Sequence, residues 1–345
     1  MAKEILMQTT LYGLDIAKRV FQLYWVEPET GEVINRKFSR QKLIEFFSNR
    51  IAGTVALEAC GSAHWWARKL QSMGHDVKLL HARFVRPFVQ NNKTDAADAK
   101  AIWTAADQPG MRTVSVKTEE QQAILALHRI RSNLVKTRTA QINQIRGLLY
   151  EYGITLRGGR QAGLKQIRDR MAEIENVVPV ILFGVITEQL QRITVLDKDI
   201  DNVENRMNSW FKQDKACQAI AHIPGIGLLT ATALVATLGE TSTFKSGREF
   251  SAYIGLVPRQ TGTGGIVKLG PISKRGDPYL RTLLIHGARA VAFTAKNKGP
   301  WIECLLERRP NNVAVVALAN KIARTAWAII AHERQYDRSY KSMAA

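Results

Sequence analysis

Apolar and polar positions follow two different periods along this chain. The first hundred residues are built from short apolar runs bounded by turn signals. Residues 11–26 read as one extended strand, with alternation clearest in Val20-Phe21-Gln22-Leu23-Tyr24-Trp25-Val26. Pro28-Glu29-Thr30-Gly31 reads as a turn, and 33–38 returns as a strand. A short amphipathic helix is expected over 41–49 and an apolar strand over 54–58. A helix over 62–73 is closed by Gly74, and a further strand covers 77–80. A strand hairpin followed by alternating helices and strands predicts an α/β domain on a mixed sheet.

From Thr118 the period becomes helical. Residues 119–152 contain no Pro, and no Gly until Gly147. A second long helix is expected over 187–211. Its Ile193, Leu196, Ile200, Val203, Met207 and Trp210 are spaced alternately by three and four, the a/d seam of a coiled coil. The seam is under three heptads, so a contact between chains and packing on a helix of the same chain both fit it. Residues 216–340 read as helical, interrupted by the Gly-rich segment 255–276. The pattern thus divides the chain into 1–117, 118–213 and 214–345.

Charge changes the picture more than composition does. The 345 residues are 46% hydrophobic, enough for sizeable cores, and 49 Lys and Arg face 30 acids, a formal net charge of +19. That balance points to a polyanion, with DNA or RNA as the partner. Residues 128–170 alone hold ten Lys/Arg against two acids. A membrane is not expected, because on this reading no apolar run reaches the length of a spanning helix. Residues 1–10 lack a signal-peptide core. Cys60, Cys217 and Cys304 are far apart and form neither a disulfide framework nor a zinc pair. A bacterial cytoplasmic, nucleoid-associated location is expected.

Four acids carry the candidate chemistry. Asp15 ends the run Leu11-Tyr12-Gly13-Leu14, and Glu58 ends Thr54-Val55-Ala56-Leu57. Asp95 and Asp98 stand three apart at a helix start, so they share a face. Each has an ordinary explanation alone: a turn residue for Asp15, a helix-dipole acid for Asp95, a solvated residue for Asp98. Together they read as an oxygen-lined site for Mg²⁺ of the kind that serves phosphoryl transfer. Next, Ile223-Pro224-Gly225-Ile226-Gly227 resembles a helix-hairpin-helix turn, whose glycines let backbone N–H groups approach phosphates. A plain tight turn is the alternative. Lastly, the Gly-rich segment runs Gly255-Leu256-Val257-Pro258-Arg259-Gln260-Thr261-Gly262-Thr263-Gly264-Gly265 and continues to Ser273-Lys274-Arg275-Gly276-Asp277 and Arg281. It lacks the Lys-Ser/Thr terminus of a P-loop, so it is either a hairpin or a loop that offers hydroxyls and cations to phosphate.

These residues, in this order, resemble the DEDD-type insertion-sequence transposases of the IS110 family, most closely its IS1111 branch. The carriers are Gly13-Leu14-Asp15-Ile16-Ala17-Lys18, Leu57-Glu58-Ala59-Cys60-Gly61, Asn92-Lys93-Thr94-Asp95-Ala96-Ala97-Asp98-Ala99, the 223–227 turn, Ala252-Tyr253-Ile254-Gly255-Leu256-Val257-Pro258-Arg259 and Ile272-Ser273-Lys274-Arg275-Gly276-Asp277. The resemblance implies a RuvC-like, RNase H-type N-terminal domain with Asp15, Glu58, Asp95 and Asp98 as catalytic, Mg²⁺-binding residues. It implies a coiled-coil middle and a mainly helical C-terminal transposase domain. It further implies recombination of double-stranded DNA guided by a noncoding bridge RNA, in a homo-oligomer, dimer or tetramer, whose subunits share a composite site. A hydroxyl of the Gly-rich loop is the implied nucleophile. The family usually places serine there; this chain has Thr263, with Ser273 as the less favoured substitute. Gly225, Gly227, Lys274, Arg275 and Arg281 are the expected nucleic-acid contacts. Alternatives are a RuvC-like structure-specific endonuclease that cuts by hydrolysis, a site-specific DNA invertase, and a non-catalytic nucleic-acid-binding protein.

Overall fold

The structure is a computed structural model, described over residues 9–90, 94–296 and 298–337. Residues 1–10 therefore fall largely outside the described residues, as does the Asn92-Lys93 pair of the third motif. The described chain packs as two units. The first runs to Glu119 and includes Gly239–Thr243; the second comprises Glu120–Leu238 and the residues from Phe244 on.

The first unit is built on a six-stranded mixed sheet. Its strands are β1 (Leu11–Ile16), β2 (Val20–Val26), β3 (Val33–Ser39), β4 (Thr54–Glu58), β5 (Asp76–Leu80) and β6 (Thr113–Val114), in the order β3-β2-β1-β4-β5-β6. β1, β4 and β5 are parallel, and the other pairings are antiparallel. The single strand expected over 11–26 is in fact two. Ala17, Lys18 and Arg19 turn the chain in solvent between β1 and β2. No Gly, Pro or Asn marks that turn, which is why periodicity alone ran through it. Helices α1 (Arg40–Ser48) and α2 (Ala63–Gln71) cover one face, where Leu14, Phe21, Leu23, Trp25, Val55, Leu57 and Leu79 bury against Leu43, Phe47, Trp66 and Leu70. Short α3 (Ala82–Val85) leads to α4 (Asp95–Asp107), which covers the other face, where Ala56 and Leu80 meet Ala101, Ile102 and Ala105. β4 is covered on both faces, so it reads as an apolar run rather than an alternation. Each fully buried Leu or Phe contributes about 1.5–3 kcal/mol, so the sheet is rigid at its centre.

The second unit is helical. It comprises α5 (Glu119–Glu151), α6 (Arg160–Asp169), α7 (Met171–Val177), α8 (Val180–Gln213), α9 (Lys215–Ala221), α10 (Leu228–Leu238), α11 (Gly247–Ile254), a two-stranded hairpin of β7 (Pro258–Thr263) and β8 (Ile266–Ile272), then α12 (Pro278–Thr294), α13 (Pro300–Arg308) and α14 (Asn311–Ala331). α5 falls within a residue of expectation, whereas α8 begins seven residues earlier. α6 and α7 lie between 152 and 187, where the sequence pattern predicts no helix. The α8 seam is used inside the chain: Ile193, Ile200 and Met207 are buried, and Leu196, Val203 and Trp210 half-buried. Arg131–Glu204 at 2.6 Å and Arg138–Asp197 at 2.5 Å tie α8 to α5.

α14 corrects one expectation. It is 21 residues long with mean hydropathy 1.5, long and apolar enough to cross a membrane by composition. Its Val315, Leu318, Ala319, Ile322 and Ala326 nevertheless form one stripe buried in the core of α9–α14, as a central helix of a packed bundle requires. His128 of α5 is also buried there, between Tyr279 Oη at 2.9 Å and Thr232 Oγ1 at 3.0 Å. Thr232 gives its own proton to the Leu228 carbonyl at 2.8 Å, so it accepts from His128 Nε2–H. Nδ1 is then left to accept from Tyr279, which fixes a neutral imidazole. Burial first, then the Arg131 charge, pushes the His128 pKa down to about 4.

Candidate active site

The four acids come from two strand ends and one helix start, and a close backbone approach brings them together. A Cβ at Gly13 would lie 2.7 Å from Trp103 Cβ and overlap the Ala99 carbonyl oxygen. α4 therefore rests directly on β1 at Gly13, where any side chain would hold it off. Trp103 Nε1 donates to the Leu11 carbonyl at 3.0 Å, two residues back along β1 and four residues on along α4. Two strand residues advance about 6.6 Å and four helical residues about 6.0 Å, so the two steps nearly match. Leu11 lies by Trp103, Gly13 by Ala99, and one further step places Asp15 by the turn that carries Asp95 and Asp98. Thr94 caps that turn by accepting from Ala97 N at 3.2 Å.

Glu58 reaches the same edge through the sheet. β1 and β4 run parallel with Leu14 opposite Leu57, so Asp15 and Glu58 follow one residue on, side by side. Electrostatics records the gathering. Burial, then the negative charges of Asp98, Asp95 and Glu58, push the Asp15 carboxyl up to about 6. Burial, then Glu58 and Asp15, likewise raise the Cys60 thiol.

A buried carboxylate raised further by three neighbouring acids is what a divalent cation would relieve. The donor set, all hard oxygens, fits Mg²⁺ chemically. As placed, however, no three His, Cys, Asp or Glu among the described residues stand close enough to hold one ion.

The other expected site residues lie in the second unit. Thr263 ends β7 and is exposed. Gly264 and Gly265 follow with φ of 56° and 81°, the two positive values of a type I′ hairpin turn. The glycines are thus accounted for by the turn, and Thr263 is carried at its tip. Ser273 is 7% exposed with its hydroxyl buried and unpartnered, so it is not presented to a ligand in solution. Lys274 and Arg275 are exposed, and Lys274 takes φ of 52°. Arg281 is engaged at home: its Nη1 donates to the Ile254 and Arg275 carbonyls at 3.0 and 2.9 Å.

The 223–227 turn divides by role. Gly225 has φ of 92°, and a Cβ there would meet the Gly287 carbonyl oxygen at 2.9 Å, so it serves packing on α12. Gly227 is exposed at the start of α10 with open space around it. A mainly apolar cavity of about 1280 Å³ lies beside Trp301, Asn320, Arg324 and Trp327 and reaches the base of the hairpin at Pro258 and Ile272, but none of these site residues lines it. Residues that pattern reading missed are Trp103, Gln22 and Asn35, polar or aromatic groups within ordinary elements and without a motif.

Residues 12–154 match a DEDD transposase family of the IS110 type, described as a transposase. Residues 217–302 match the transposase IS116/IS110/IS902 family. A probable family 20 transposase of Pseudomonas aeruginosa is 44% identical, over 96% of this chain and 99% of its own. The transposase for insertion sequence element IS1111A of Coxiella burnetii is 42% identical, over 94% and 91%. A pilin gene-inverting protein of Moraxella lacunata is 25% identical over 96% and 99%. With relatives this similar along nearly its full length, the chain belongs to the IS110 family of insertion-sequence transposases.

Proposed function

We propose that this transposase cuts and rejoins double-stranded DNA by transesterification, with Asp15, Glu58, Asp95 and Asp98 holding Mg²⁺ and Thr263 supplying the nucleophile. The observation that carries the reading is the meeting of Asp15, beside Glu58 in register, with the first turn of α4 at one sheet edge, where burial first and then the charges of Asp98, Asp95 and Glu58 raise the Asp15 carboxyl. When bound, Mg²⁺ supplies positive charge to the scissile phosphate. The Thr263 oxygen gives up its proton and bonds to phosphorus, the phosphorus–oxygen bond to one side of the strand breaks, and the leaving strand oxygen keeps the electron pair and takes up a proton, so that one phosphodiester is exchanged for another. Threonine's γ-methyl restricts χ1, which suits a nucleophile needing one orientation. Lys274 and Arg275 neutralise phosphate charge, Arg281 holds the loop that presents them, and Gly227 opens the start of α10 to the DNA backbone. Gly225 takes part through the shape of that turn. A noncoding guide RNA and assembly as a homodimer or tetramer complete the reading. They are supported by the family resemblance and by the net charge of +19.

The test is a denaturing protein gel after incubation with guide RNA, duplex DNA and Mg²⁺. A protein–DNA adduct that disappears in Thr263→Ala and in Asp15→Asn is expected. Cleavage without an adduct overturns transesterification and leaves a hydrolytic nuclease. The inverting protein among the relatives favours a second reading of the same chemistry, site-specific inversion. Recombination between two inverted sites on one plasmid, without insertion elsewhere, is its signature.

A further inference from the structure

Gln22 is 4% exposed and pairs directly with Asp15 in the β1–β2 ladder. Antiparallel partners point to the same face, so Gln22 and Asp15 share the side covered by α4. Tyr24, two residues on, confirms the face by packing on Trp103 at 5.5 Å. Gln22 Nε2 donates to Asn35 Oδ1 at 2.5 Å, and Asn35 Nδ2 donates to the Ala96 carbonyl at 3.1 Å. Ala96 lies between Asp95 and Asp98, so the relay runs from β2 through β3 to the turn bearing those acids.

The relay settles which way each amide points. A backbone carbonyl only accepts, so Asn35 must present its NH₂ to Ala96 and its oxygen to Gln22. Gln22 must then present its own NH₂ to Asn35. Its Oε1 is left buried and without a partner. A buried acceptor left alone is uncommon in folded proteins and calls for a ligand. Here the atom sits on the strand opposite Asp15, in a set of acids that repel one another. A neutral amide oxygen adds a hard donor to such a set without adding negative charge.

We propose that Gln22 is a neutral oxygen donor of the acidic site, toward a hydrated divalent cation, and that Asn35 is the positioning residue that orients it and ties it to the first turn of α4. The proposal rests on the reading that the four acids bind a divalent cation.

The experiment titrates the full chain with Mn²⁺, followed by the loss of free-ion electron paramagnetic resonance signal, and melts the same samples thermally. Gln22→Met keeps the volume and removes the oxygen. It is expected to weaken Mn²⁺ binding about ten-fold, with melting unchanged or raised because an unpaired buried acceptor has gone. Asn35→Ala is expected to weaken binding in the same direction and to lower the melting temperature slightly, because the buried Gln22 Nε2 loses its acceptor while the chain stays folded. Unchanged Mn²⁺ affinity in Gln22→Met overturns the proposal, as does a loss of affinity that only follows a loss of folding. Asp15→Asn separates the two layers of argument. If it abolishes binding while Gln22→Met does not, the acidic site stands and Gln22 falls. If the unmodified chain binds no Mn²⁺, the four-acid reading falls and takes this proposal with it.

Discussion

The edge that carries the acids and the hairpin that carries Thr263 are opposite ways of placing a polar side chain. Asp15 is hemmed in by β2, β4 and α4, and its position follows from packing that admits no side chain at Gly13. Thr263 stands on a two-stranded ribbon whose residues are nearly all exposed, including Ile266, Val267 and Leu269. An isolated hairpin of two strands is only marginally stable in water. The contrast teaches which half of the chemistry the fold pre-organises. Mutually repelling carboxylates need a rigid frame to stay together, while on the proposed reading the hydroxyl is carried on an exposed ribbon open to a strand of DNA.

Four changes would break or sharpen that contrast. The largest effect is expected from Thr263→Ala, which should reduce the covalent adduct on the order of 10³-fold or more, to background. Its melting temperature should stay at the unmodified value, because an exposed hydroxyl contributes little to folding. Retention of the adduct would remove Thr263 from the reaction. Gly13→Val should do the reverse, damaging frame and chemistry together. Overpacking against Ala99 and Trp103 should cost about 1–3 kcal/mol of stability, measured by urea unfolding. The displaced α4 should lower cleavage on the order of 100-fold. A variant with normal cleavage would mean that the contact at Gly13 does not set the site.

The third change is acid, and it addresses the helical unit alone. His128 is held neutral in the fold at about 4, against an ordinary 6.5. Between those values the unfolded chain binds the extra proton and the folded chain does not. The stability is therefore fully present above pH 6.5 and lost as pH falls toward 4, by on the order of 3 kcal/mol. The difference in urea midpoint between the unmodified chain and His128→Gln should therefore shrink as pH falls through that window, whereas the slope of either chain alone also carries the opposite contribution of the raised Asp15 carboxyl. The smallest effect belongs to Arg275→Ala. DNA affinity should weaken similarly for all sequences, with the log K against log salt slope reduced by about 1 and no change in melting. Sequence-dependent weakening would indicate base reading rather than a phosphate contact.

Much of the acidic edge was legible because chain chemistry forces it into view. A carboxylate at the end of Leu57's run, or beside Leu14, is conspicuous against apolar neighbours. Thr94 and two acids three apart announce a helix start. The turn at Lys18 was not legible, because it is made without glycine, proline or asparagine. α6 and α7 were hidden by a charged stretch whose Leu164, Ile167 and Ile174 pack on α5 and α8, a tertiary rather than a local signal. The commitment of Arg281 to two carbonyls was equally invisible, since nothing in Tyr279-Leu280-Arg281 distinguishes a clamp from a surface cation. Gln22 was lost inside an ordinary alternating strand. Its meaning depends on register with Asp15 and on Asn35, thirteen residues away.

The matched steps of β1 and α4 also govern where this protein tolerates changes in length. Between Ile16 and Thr94 the chain makes excursions through β2, β3, β4, β5 and the helices between them. The surface loops on that path can lengthen or shorten without moving a carboxylate, because the spacing is set elsewhere. Between Leu11 and Asp15 there is no such latitude. One inserted residue there turns Asp15 to the opposite face of the sheet, toward α1 and α2, and leaves the helix acids facing a leucine.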